Sequence, residues 1–217
     1  MKKIDEKFDD VWLPSRRRIL ICAMTFPIYS GCIYSRYYNL GWEEEVKLQD
    51  GSIVLVKLNF KHERRSRTSK YDLAILRETT LTFDSGLPFG KVKQIFTSVQ
   101  PMLLNKFNGT WYVVIRPEGS TDDLRKSVEE WGRPQTSSYQ WPLKLTAEGF
   151  RPIQLADFPD QIVDMNLLAY LPPAAMADLD GLTLREGGQK TALMRKYTNL
   201  LPFELRGLRK SLQTNPI

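Results

Sequence analysis

The chain alternates apolar and polar positions through most of its middle and loses that alternation toward its C-terminus. Glu43-Glu44-Glu45-Val46-Lys47-Leu48 leads through Gln49-Asp50-Gly51-Ser52 into Ile53-Val54-Leu55-Val56-Lys57-Leu58-Asn59-Phe60. Asp-Gly between β-branched runs favours a type I′ turn, whose two central residues take positive φ, so the stretch predicts a hairpin. Residues 76–83 alternate as a threonine-rich strand, and Lys91–Thr97 forms another after the turn Asp84–Gly90. Pro101–Phe107 and Trp111–Arg116 flank Asn108-Gly109, a second hairpin of the same chemistry. Tyr139–Leu145 and Arg151–Leu155 make a third around Thr146–Phe150, with Pro142 and Pro152 assigning both strands to a sheet edge.

Between the second and third hairpins the period changes. Ser120 or Thr121 can cap a helix through Trp131, with Leu124, Val128 and Trp131 on one face, Asp122 and Asp123 in the first turn and Gly132 as the stop. After Pro159 the chain is irregular, with short helical turns expected at 160–168 and 174–179. Gln189–Lys210 reads as a basic helix on both sides of Pro202. The fold class expected is mainly β with α (α+β): an antiparallel meander folded as a sandwich or half-barrel, with one covering helix and a basic C-terminal helix.

Ahead of the meander lies a different pattern. Arg16-Arg17-Arg18 precedes the apolar run Ile19–Ile28, and Ser30-Gly31-Cys32 closes it. A positive flank, an apolar run of about 7–15 residues and small residues before a cut are the parts of a secretory signal. The run is too short for a spanning helix, which needs roughly 20 apolar residues. Tyr29-Ser30-Gly31-Cys32 resembles the lipobox of bacterial lipoproteins, with Tyr29 where that class has an aliphatic residue. The resemblance implies cleavage between Gly31 and Cys32, a diacylglycerol on the Cys32 thiol and acylation of its new amino terminus. It further implies an outer-membrane destination facing the periplasm, since Ile33 rather than an aspartate follows the cysteine. Ser15–Leu20 also resembles a twin-arginine signal. Asp5, Glu6, Asp9 and Asp10 are atypical of such a leader and fit a start downstream of Met1. The competing readings are an uncleaved signal anchor and a buried apolar element at residues 19–33 of a cytoplasmic protein. Gly41–Leu48 with the following Asp50-Gly51 is similar to the opening of uncharacterised proteobacterial lipoproteins, a likeness that brings no activity with it.

The expected organisation is therefore a signal peptide at 1–31, a lipid-anchored tether at 32–45, a β-rich domain at 46–160 with its helix near 121–131, and an irregular and helical segment at 161–217. Tyr34, Tyr37, Tyr38 and Trp42 either hold the tether at the headgroups or pack on the domain. About 185 residues follow Cys32, enough for one domain with a real core.

Composition narrows the chemistry. Cys22 leaves with the signal and Cys32 becomes the anchor, so no thiol remains for a disulfide or a nucleophile. His62 is the only histidine, set in a charged run, which removes His-based triads and multi-histidine zinc sites. Asp178 and Asp180 before Gly181 lack the later ligands of a calcium loop, and Gly187-Gly188 lacks the context of a phosphate loop. No cofactor and no metal are expected. The net charge of +6 is mild, and its densest run is Lys61–Lys70, where Lys61, Arg64, Arg65, Arg67 and Lys70 are candidate contacts for a polyanion or simply a solvated loop.

The function expected is a non-catalytic binding or scaffolding module of the cell envelope. Its partners would be the lipid bilayer, through the anchor, and an envelope protein or anionic polymer. Two classes compete with it. One is an envelope-polymer hydrolase using a carboxylate pair, with Trp111, Trp131 and Trp141 as sugar platforms. The other is a cytoplasmic basic protein binding nucleic acid through residues 61–70 and 189–210.

Overall fold

A computed structural model describes residues 35–64, 74–117, 121–133, 139–162, 165–168 and 171–198. The expected signal peptide, Cys32, Arg65, Arg67, Lys70 and the stretch after residue 198 lie outside the described residues. The elements in order are β1 (Tyr37–Lys47), β2 (Ile53–Glu63), β3 (Ile75–Asp84), β4 (Lys91–Thr97), β5 (Val99–Phe107), β6 (Thr110–Pro117), α1 (Thr121–Trp131), β7 (Trp141–Thr146), β8 (Gly149–Pro152), a 3-10 turn (Leu155–Asp157), α2 (Pro173–Leu179), β9 (Thr183–Leu184) and α3 (Gly188–Thr198).

The strands form two sheets, β4-β3-β2-β1-β9 and β5-β6-β7-β8, neither of them closed. The α+β class read from the alternation is the class observed. The meander β1 to β4 is antiparallel throughout, and at Ser98, whose φ is 53°, the chain leaves one sheet and starts the other. Alternation sends Leu40, Trp42 and Val46 of β1 and Val56, Leu58 and Phe60 of β2 inward, where they meet Val113, Ile115 and Leu143 of the second sheet. Trp42 stacks on Phe60 with ring centroids 4.8 Å apart. Burying a side chain of this size stabilises by about 1.5–3 kcal/mol. A second apolar cluster, Leu103, Tyr112, Val114, Leu155, Phe158 and Ile162, covers the other side of the four-stranded sheet.

The helix near 121–131 forms as expected. Leu124, Val128 and Trp131 pack on the core, Trp131 lying 5.9 Å from Phe96, and Gly132 ends the helix at φ 80°.

Four local expectations are corrected. The first strand begins at Tyr37, so residues 37–45 belong to the sheet rather than a tether, and Tyr38 and Trp42 are core residues. Strand β7 is internal despite Pro142, because the Pro142 carbonyl accepts from Ile153 just beyond the end of β8. The missing N–H therefore faces the place where the ladder has already stopped. Among the described residues of 160–168 there is a turn and irregular chain instead of a helix. His62 sits in β2, buried, and not in a loop.

Candidate functional site

Among the described residues nothing packs over the outer face of the five-stranded sheet. Strand alternation puts Asn39, Gly41 and Glu43 of β1 on it, with Lys57, Asn59 and Lys61 of β2, Glu78, Thr80 and Thr82 of β3, and Lys91, Lys93 and Ile95 of β4. Register lines them up in rows across the strands: Glu43, Lys57, Thr82 and Lys93 form one, and Gly41, Asn59, Thr80 and Ile95 the next. Neighbouring positions in a row are about 4.8 Å apart, and successive rows about 6.6–6.8 Å apart, by the geometry of the pleat.

A depression of about 630 Å³ opens across these rows, lined by Asn39, Lys57, Asn59, Thr80, Thr82, Lys91 and Lys93. No carboxylate lines it. Its neighbour of about 390 Å³ shares Asn39, Lys57 and Asn59 and runs over Gly41 to Asp180 and Thr183. Gly41 makes the floor: a Cβ there would lie 2.4 Å from Asn59 Oδ1 and 2.8 Å from the Leu58 carbonyl oxygen. The Asn59 amide thus leans over backbone where any other residue would displace it.

Charge on this face is partly neutralised. Lys57 pairs with Glu43 at 3.7 Å and Lys61 with Glu78 at 2.6 Å, whereas Lys91 and Lys93 have no ion-pair partner among the described residues. Asp84, opposite Lys91 in the register, spends its carboxylate on the Gly86 N–H at 2.9 Å. The side chains of Asn39, Asn59, Thr80 and Thr82 make no hydrogen bond to other described residues, which leaves amide donors, amide acceptors and hydroxyls facing solvent.

The candidates read from the basic run do not share a face. Lys61 lies on the outer face, its Nζ 5.5 Å from the Tyr37 ring, while the Arg64 guanidinium sits 5.0 Å over Tyr38, an inward residue. Trp111, Trp131 and Trp141, weighed as sugar platforms, are all buried, and the Trp111 and Trp141 indole N–H groups donate to the carbonyls of Ser85 and Gly132. Asp178 and Asp180 do not act as a pair: Asp178 is exposed, and Asp180 Oδ1 accepts from the Gly41 N–H at 2.8 Å.

Three carboxylates are instead built into the scaffold. Glu44 occupies an inward position of β1 at 0% exposure, facing Lys190 of α3 at 1%. Lys190 Nζ lies 3.2 Å from Glu44 Oε2 and also donates to the carbonyls of Glu45 and Asn166, the latter at 2.9 Å. Glu44 further accepts from the Leu168 N–H at 3.1 Å. Burial pushes the Glu44 carboxyl up, with Lys190 and the Leu168 N–H pulling against it. Glu45, one residue on, is lowered by the Glu186 N–H and by Arg185. Glu63 is held down by Arg36 and by Arg77, a residue swung toward it by an irregularity in the β2–β3 ladder.

Asn166 completes the clasp. Its amide bonds both the N–H and the C=O of Leu104 in β5, at 3.0 and 2.7 Å, and donates to the Lys47 carbonyl of β1 at 3.0 Å. The irregular C-terminal stretch is therefore what ties the two sheets together at one edge. The only sequence signal for it was Glu44 at an inward register position, which demands a buried cation without saying which.

No protein family, curated protein or solved structure matches the chain. Among the described residues, no group of three or more His, Cys, Asp or Glu side chains gathers as metal ligands would.

Proposed function

We propose that this chain is an exported, lipid-anchored protein of the bacterial cell envelope, held at the outer membrane through Cys32, and that it is a non-catalytic binding module. Its ligand is an anionic glycan taken across the outer face of the five-stranded sheet. The observation that carries this reading is the depression lined by three lysines, two asparagines and two threonines with no carboxylate among them. Lysines pair with anionic groups, while asparagine and threonine both donate to and accept from hydroxyls, so the lining suits a ligand bearing both. It contains no aromatic ring, which argues against stacked bases and against a neutral sugar platform.

A hydrolase is the second reading, because Glu43 and Asp180 line the same smaller depression. Each already holds a partner, Lys57 for Glu43 and the Gly41 N–H for Asp180, which favours scaffold roles for both.

The binding half is tested by titrating the full chain with an oligogalacturonate and with a neutral malto-oligosaccharide of equal length. The acidic sugar should bind, and Lys57→Gln/Lys93→Gln should abolish binding while the charge-matched Lys144→Gln/Arg151→Gln on the other sheet leaves it intact. Equal loss in both double variants would reduce the effect to diffuse charge and overturn the assignment. The anchoring half is tested by the intact mass of the membrane fraction beside that of Cys32→Ala. A product beginning at Cys32 with diacyl and acyl additions, absent in the variant, is expected; an unmodified full-length chain in the cytosol would sink it.

A further inference from the structure

The end of the five-stranded sheet where β1 leaves, β2 enters, β3 leaves and β4 enters is apolar at its tip. Leu87 is 94% exposed, and Phe89, Ile53 and Leu55 are each exposed large apolar side chains. Register brings these groups to one place. Val56 pairs with Phe83, so continuing the ladder sets Ile53 level with Gly86 at the root of the Leu87 turn. Lys47 lies opposite Ile53 and Lys91 opposite Asp84, so exposed lysines flank the apolar tip on both sides.

The turn is built to hold Leu87 out. Ser85 N–H and Oγ both donate to the Gly90 carbonyl at 2.8 Å, and the Gly90 N–H returns to Gly86 at 2.7 Å. Gly86 and Gly90 take φ of 69° and 62°, conformations that cost other residues energy. Beneath it, Trp111 Nε1 donates to the Ser85 carbonyl at 3.0 Å from within the core. An apolar side chain held in water sits at a higher free energy than one that is covered, so covering this tip would be favourable. The acids at this end, Asp50 and Asp84, have their carboxylates engaged by the Ser52 and Gly86 backbone N–H groups, while Lys47 and Lys91 extend free of ion pairs among the described residues.

Apolar residues at a loop tip flanked by two exposed, unpaired lysines suit an anionic bilayer surface: the tip enters the interface and the ammonium groups meet the headgroups. We infer that this end of the domain docks on an anionic lipid surface, Leu87 and Phe89 inserting and Lys47 and Lys91 contacting headgroup phosphates. The contact belongs to the folded domain and does not rest on the lipid at Cys32. Because β1 starts five residues after Cys32 and ends at the tip, docking would lay the strands along the bilayer rather than end-on. Lys91 also lines the depression of the outer face, so the two proposals are separated by their probes: vesicles are read at position 87 and the acidic sugar at the groove.

The test places an environment-sensitive fluorophore at position 87 of the full chain through Leu87→Cys, with Cys22→Ala and Cys32→Ala, and a second at position 126 through Lys126→Cys as a control. Vesicles are phosphatidylcholine alone or phosphatidylcholine with phosphatidylglycerol. With the anionic vesicles the label at 87 should shift to the blue and the label at 126 should not. Lys47→Gln/Lys91→Gln should weaken the response by about five-fold per lysine, and Phe89→Ser should weaken it further. No shift at 87, an equal shift at 126, or an equal response to phosphatidylcholine alone would overturn the inference. So would a shift at 87 that grows with protein concentration in the absence of lipid, which would assign the tip to a second copy of the chain.

Discussion

The two sheets are built from similar residues and end in opposite situations. The four-stranded sheet is covered on both faces, by the five-stranded sheet on one side and by residues 153–162 on the other, so β5 and β6 are buried along most of their length instead of alternating. Among the described residues the five-stranded sheet is covered on one face only, and β1 and β2 alternate over most of their length. The difference teaches where to look for function. A sheet packed on both sides has little left to offer a ligand, whereas an open face on which Asn39, Asn59, Thr80, Thr82, Lys91 and Lys93 have no side-chain partner among the described residues is available for one.

The largest effect expected is at the clasp that separates these situations. Lys190→Met leaves the Glu44 carboxylate buried and uncompensated and should cost about 3–5 kcal/mol in urea unfolding. Adding Glu44→Gln should recover most of it; no recovery would show that Lys190 matters chiefly for packing.

Between the sheets, His62 should make stability depend on pH. Burial outweighs the Phe60 backbone and pushes its pKa down to about 4, from an ordinary 6.5. A histidine lowered on folding leaves stability intact above the unfolded pKa and removes it as pH falls toward the folded one. Stability should therefore drop by about 3 kcal/mol between pH 6.5 and 4. His62→Leu should flatten that slope when unfolding is followed across the same range.

On the open face the expected effects shrink. Gly41→Ala would force Cβ against the Leu58 carbonyl oxygen, which belongs to a ladder and cannot move freely, so it should cost about 1–3 kcal/mol by thermal unfolding. Thr80→Val/Thr82→Val should change stability by no more than about 0.5 kcal/mol while weakening the acidic glycan. A large loss of stability there would mean that the hydroxyls serve the fold, and the contrast between open and covered faces would fail.

Much of the fold was legible because short-range chemistry decides it. Asn108-Gly109 made the expected turn with both residues at positive φ, 47° and 76°, whereas at Asp50-Gly51 only the glycine takes positive φ, 83°, and the hairpin closes through a longer loop from Leu48 to Ser52 instead of a type I′ turn. Leu124, Val128 and Trp131 fell on one helical face because their spacing allows nothing else. The candidate site was legible only in pieces. Each lysine and threonine of the groove was visible as an outward position, but their assembly needed strand order, which local pattern does not encode. The described part of the densest basic run, Lys61 and Arg64, divides between two faces of the sheet.

What the sequence by itself determined was the existence of β1 to β8, most of their turns and which side of each alternating strand is apolar, since these follow from period and turn chemistry within a few residues. By inventory it also determined that residues 35–217 hold no cysteine and a single histidine. Tertiary structure alone decided that β9 joins β1 in parallel, that Lys190 is the cation Glu44 requires, and that Pro142 can sit in an internal strand. Those outcomes depend on contacts between residues as far as 146 positions apart along the chain, such as Glu44 and Lys190. Their energies arise only when burial removes water from both partners at once.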